Sequence, residues 1–99
     1  MIVSGTAPIW PDGSVMPDAY DQARRCFEII GTALAEAGAT MDQVVRTRMF
    51  LTDAADSEAV GKAHGEVMAR ARPAATMVVV KELLDKRWKV EIEAEAVIS

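Results

Sequence analysis

Few side chains in this 99-residue sequence are suited to chemistry, and their spacing narrows what they can do. The one cysteine, Cys26, cannot form an internal disulfide or a multi-cysteine metal site. It falls at helical spacing among Ala23, Phe27 and Ile30, where a thiol acts as a small core group. The one histidine, His64, borders the apolar stripe of a second helical segment and reads as packed or half exposed rather than as a general base. A metal would therefore have to be held by carboxylates and water, and no spaced acidic loop of the calcium type is present, so no metal site is expected. Two charged rows alternate with apolar residues: Arg46 and Arg48 in one segment, and Glu91, Glu93 and Glu95 in another. Neither row reads as a simple solvent face.

Eleven Lys and Arg stand against fifteen Asp and Glu, a net charge of −4. The cations Arg24, Arg25, Arg46, Arg48, Arg70, Arg72 and Arg87 are scattered, and no basic run exceeds two residues. Nucleic-acid affinity depends on cations laid against phosphates, so this balance disfavours RNA and DNA. No basic stretch precedes an apolar run and a small-residue cleavage site, and no run approaches 18 apolar residues. The expected location is the cytoplasm, with no membrane partner. With 51% hydrophobic and 26% charged residues, residues 1–99 read as one folded domain. A core this small is thin, and oligomerisation is the natural compensation.

Six elements must position these groups. Met1 to Val3 is a short apolar strand ended by Ser4-Gly5, followed by a loop holding three of the four prolines and Asp12-Gly13, with room for a small hairpin. From Asp18, a plausible N-cap, Ala19, Ala23, Cys26, Phe27, Ile30, Leu34 and Ala37 recur at spacings of three and four until Gly38, which predicts a helix of about twenty residues. Val45, Thr47, Met49 and Leu51 then alternate with Val44, Arg46, Arg48 and Phe50 as a strand. A second helix runs from Asp56 or Ser57 through Val60, Ala63, Val67 and Ala71, ended by Arg72-Pro73. Thr76 to Val80 and Trp88 to Ile98 are the last two strands. The order β-α-β-α-β-β predicts an α+β two-layer sandwich, a mixed sheet with two helices on one face.

The ordered motifs Val3-Ser4-Gly5-Thr6-Ala7-Pro8, Gln22-Ala23, Ala37-Gly38-Ala39, Val44 to Asp53, Arg72-Pro73-Ala74-Ala75-Thr76 and Lys89 to Ala94 together resemble the RidA/YjgF family, also called endoribonuclease L-PSP or translation initiation inhibitor. The resemblance covers essentially the whole chain. It implies a homotrimer with helices outside and a small-metabolite cleft at each subunit interface. It also implies deaminase chemistry, the hydrolysis of reactive enamines and imines such as 2-iminobutanoate and 2-iminopropanoate, without metal or organic cofactor. By the same resemblance Glu91 matches the glutamate that orients the hydrolytic water, and Ser4 and Gly5 match the strand end that lines the cleft.

The chain departs from the deaminases where they carry an arginine that pairs with the substrate carboxylate. That position is Ala75, and the cysteine that often follows it is matched by Met77. Loss of such a contact in a partly desolvated cleft costs on the order of 2–5 kcal/mol of binding. Arg46 or Arg48 could stand in, although solvated or ion-paired strand residues are their more ordinary role. An asparagine frequent early in the second helix is matched by Gly61, and His64 falls where an aromatic is common. The chain also begins inside the motif, so it reads as short at the N-terminus, with a bare sheet edge at the first strand. These features favour a metabolite-binding trimer, with hydrolysis of substrates other than the usual imino acids. The alternatives are a non-enzymatic regulatory or chaperone-like protein and, with less support from an acidic chain lacking a histidine pair, an endoribonuclease.

Overall fold

The computed structural model describes residues 1–98. Its regular elements are β1 (Ile2–Thr6), α1 (Ala19–Glu36), β2 (Val44–Leu51), α2 (Ser57–Val67), β3 (Ala74–Val79) and β4 (Val90–Ala96). The sheet order is β1-β4-β2-β3. β4 runs antiparallel to β1 and β2, whereas β2 and β3 are parallel. A parallel neighbour needs a crossover, and α2 supplies it. Both helices press on one sheet face, where Phe27, Ile30 and Leu34 of α1 and Val60 and Ala63 of α2 meet Met49, Leu51, Val90, Ile92 and Ala94. This is the α+β two-layer sandwich that the element order predicts. No helix among the described residues is long and apolar enough to cross a membrane.

Capping fixes the ends of α1. The Asp18 carboxylate accepts the Tyr20 N–H at 2.7 Å, which satisfies one of the orphan donors of the first turn. At the other end Gly38 takes φ +83°, a conformation that costs glycine little and lets the Ala39 N–H return to the Leu34 carbonyl at 2.8 Å. Between them, Gln22 is fully buried on the apolar face of α1. Its Nε2 donates to the carbonyls of Met16 at 2.7 Å and Arg87 at 2.9 Å, and its Oε1 accepts the Lys89 N–H at 2.7 Å. One side chain thus fastens the proline-rich loop and the approach to β4 onto the helix.

The structure corrects the sequence reading at several element boundaries. Ser4-Gly5 does not end β1; the register shifts between Val3 and Thr6, so the pair forms an irregularity inside a strand that runs on to Thr6. The following loop carries a small hairpin, with Ile9 bridged to Val15. In β2 a register shift between Val44 and Arg46 breaks the two-residue period, so Val44 is buried and Val45 exposed, the reverse of strict alternation. α2 stops at Val67, four residues before Ala71, because the chain turns to bury Met68 instead. β4 is shorter than Trp88 to Ile98: the Trp88 N–H donates to Asp85 within a turn, and Ile98 is about half exposed.

Replacing Gln22 with Leu, of similar volume, strands three partly buried backbone groups. We expect a loss of about 2–4 kcal/mol in urea unfolding, since each buried unsatisfied group costs about 1–3 kcal/mol and water recovers part of this. A loss under about 0.5 kcal/mol would show that the two loops hold themselves.

Candidate functional site

The sheet face away from the helices carries the charged rows. Glu95, Glu93 and Glu91 of β4 lie opposite Arg46, Arg48 and Phe50 of β2. Arg48 Nη1 meets Glu93 Oε1 at 2.9 Å, and its Nη2 reaches diagonally to Glu95 Oε1 at 3.4 Å. Both partners are more than a quarter exposed, so this network orders the face more than it stabilises the fold. Arg46, Arg48, Glu93, Ala94, Glu95 and Ile2 line an open depression of about 230 Å³.

Glu91 sits one pair further along, beside the irregular stretch of β1. A β-carbon at Gly5 would lie 3.5 Å from Glu91 Oε1. That is ordinary contact distance, so Gly5 leaves the flank of the carboxylate uncovered. Ser4, exposed, precedes it on the same strand. The structure therefore brings Gly5 to Glu91, with Ser4 the neighbouring residue of the same strand.

It does not bring Ala75 and Met77 to them. Those residues lie on β3, the opposite edge of the sheet, three inter-strand steps or about 14 Å from β1. Ala75 pairs with Thr47 and Met77 with Met49, so both belong to the helix side. Arg46 and Arg48 pair with Ala74 and Thr76 and belong to the other side. Within one chain, neither guanidinium shares a sheet face with Ala75.

Cys26 is buried on the inner face of α1, and its thiol donates to the Thr6 carbonyl at 3.2 Å. Burial, reinforced by the negative charge of Glu91, pushes the thiol pKa up to about 12, so it stays protonated and is a poor nucleophile at neutral pH. His64 shares a 2.8 Å hydrogen bond between its Nε2 and the hydroxyl of Thr47, which is fully buried. Phe27 packs edge-on against its ring at 5.8 Å between centroids. Partial burial lowers the imidazole pKa below its ordinary value. Sequence patterning placed Thr47 in an apolar row and passed over it; a hydroxyl among inward-facing residues was the available signal that a polar partner stands above it. No group of three or more His, Cys, Asp or Glu among the described residues is gathered for a metal ion.

Two measurements follow from these environments. Cys26 should resist iodoacetamide at pH 8 in the native protein and label fully in denaturant; rapid native labelling would contradict its burial. For His64, the unfolded chain takes up the proton at higher pH than the folded one, so its contribution to stability is complete above about pH 6.5 and is lost as pH falls through the lower folded pKa. The stability difference between wild type and His64→Gln should therefore shrink or reverse between pH 7.5 and 5. A difference that stays flat across this range would place the ring in solvent.

Comparison with known proteins bears on this arrangement. The endoribonuclease L-PSP family description matches residues 1–98. Protein SCO2049 of Streptomyces coelicolor is 39% identical over 79 residues, 80% of this chain and 59% of the relative, so the chain spans less than two thirds of that relative's length. Among solved structures, Rv2704 of Mycobacterium tuberculosis, described as a YjgF/YER057c/UK114 family member, superposes with a TM-score of 0.89 at 36% identity over 98% of this chain and 77% of that one. Escherichia coli TdcF, solved with bound serine, superposes with a TM-score of 0.90 at 29% identity over 99% and 80%. The sheet order, the two-helix layer and these matches agree: the chain belongs to the RidA/YjgF, or endoribonuclease L-PSP, family.

Proposed function

We propose that the chain works as a homotrimer whose inter-subunit clefts hold a small metabolite, and that it hydrolyses enamine- or imine-type substrates other than the usual 2-imino acids. The observation that carries this reading is the division of the site. Ser4 and Gly5 lie on one edge strand with Glu91 on the strand beside it, and Ala75 and Met77 lie on the other edge strand and on the opposite sheet face from Glu91, so one cleft containing both sets calls for two copies placed edge to edge. The exposed β3 edge, with Val78 and Val79 about half exposed, and the exposed Ile2 on β1 give that assembly apolar surface to cover. A cleft of amino-acid size is supported by the serine bound in TdcF.

In such a cleft the Glu91 carboxylate acts as general base. It takes a proton from water as the oxygen adds to the C=N carbon, then returns it to the nitrogen. Collapse of the carbinolamine releases ammonia and leaves a carbonyl. Gly5 leaves room at the carboxylate's flank for that water.

Ala75 also favours a second reading, ligand binding without turnover, since it supplies no charge to orient a carboxylate. RNA cleavage has less support: Arg48 is committed to Glu93 and Glu95, and His64 is bonded to Thr47 with no second histidine in the chain.

Ammonia release from freshly generated 2-iminobutanoate should be weak in wild type at concentrations where mass analysis shows a trimer. It should rise by tenfold or more in Ala75→Arg and vanish when Glu91→Gln is added to that variant. Full wild-type activity abolished by Glu91→Gln would mean that another cation holds the carboxylate. Silence in every variant would favour the binding reading.

A further inference from the structure

The surroundings of Ala75 contain a polar pair that none of the preceding chemistry uses. Thr47 and Ala75 are register partners on adjacent parallel strands, so their side chains stand side by side on the helix face, about 4.8 Å apart at the backbone. Thr47 holds Nε2 of His64 at 2.8 Å, and Phe27 fixes the ring from its edge. The other ring nitrogen, Nδ1, bonds no group among the described residues, yet the only sealed side-chain nitrogen or oxygen lacking a partner there is Trp88 Nε1. Nδ1 is therefore not sealed from solvent. One helical turn before it, a β-carbon at Gly61 would meet nothing within 4 Å, and Ala75 contributes only a methyl group. Space and one free hydrogen-bonding nitrogen thus lie together on the β3 side of the sheet, while Arg46 and Arg48 stand on the opposite face.

Resting on the inter-subunit cleft proposed above, we infer that His64, set by Thr47, is the specificity-determining residue on the Ala75 side of that cleft, and that it selects substrates bearing a neutral carboxamide where imino acids bear a carboxylate. Burial lowers the imidazole pKa and so favours the uncharged ring. A neutral ring with one nitrogen committed to Thr47 can give or take a single hydrogen bond at Nδ1. It offers no compensating charge to a carboxylate, whose desolvation in the cleft would then go unrepaid. A carboxamide presents both a donor and an acceptor without net charge, and it fits either tautomer.

The test is calorimetric titration of the assembled protein at pH 7.5 with two stable probes, 2-oxobutanamide and 2-oxobutanoate. Wild type should bind the amide at least tenfold more tightly than the acid. His64→Phe should lose tenfold or more in amide affinity with little change for the acid, His64→Gln should recover most of that loss, and Ala75→Arg should reverse the preference. A wild type that prefers the acid, or a folded His64→Phe with unchanged amide affinity, overturns the assignment of His64. If Ala75→Arg binds the acid while wild type binds no amide, the cleft stands and the role of His64 fails. If neither probe binds wild type or Ala75→Arg, the cleft itself fails, and the inference with it.

Discussion

The molecule depends on the alternation along β4. This strand is paired on both sides by antiparallel neighbours, so none of its side chains can change face without breaking two ladders. Val90, Ile92, Ala94 and Ala96 close the core from below, and Glu91, Glu93 and Glu95 are held on the other side by the same constraint. A slip of one residue would drive three carboxylates under the helices, a cost no packing gain could offset. The charged face and the face that carries stability are thus set by one element.

Two buried polar side chains pin other elements to the sheet. Gln22 uses its amide to gather the loop before α1 and the residues entering β4. Thr47, across the sheet, uses its hydroxyl to anchor α2 through His64. Each sits among apolar neighbours where an unsatisfied group would be costly, so each makes one helix position specific in a way that the surrounding Val, Ile and Leu contacts do not.

Much of this was legible in the sequence because the periods are clean. Ala23, Cys26, Phe27, Ile30 and Leu34 mark α1 without ambiguity, and the Val-Glu-Ile-Glu-Ala-Glu-Ala run marks β4. What was not legible has physical causes. A bulge inserts one residue into a ladder, and alternation counted along one strand cannot register it, which is why Val44 and Val45 exchanged faces. The Ser4-Gly5 pair carries the composition of a turn, yet the pairing of Val3 and Thr6 with β4 holds it inside a strand. Glycine within a strand is nonetheless a recognised mark of close approach, and Glu91 is the group that approaches. The His64–Thr47 bond joins residues 17 apart on different elements, a contact that exists only once α2 has been laid across β2.

On the trimeric reading proposed above, the same geometry makes a single protomer an incomplete site. Strand order β1-β4-β2-β3 puts Ser4 and Gly5 on one edge strand, Glu91 on the strand beside it, and Ala75 and Met77 on the other edge strand, about 14 Å from β1 and about 10 Å from β4. Any chemistry that needs both must draw one from a neighbouring copy. A substitution on β3, such as the small side chain at position 75, then alters what a ligand meets on one wall without disturbing Glu91 on the other. On that reading Glu91 and position 75 are carried by different strands, and in an assembly by different chains, so ligand preference can change while the Glu91 side of the proposed site keeps its geometry.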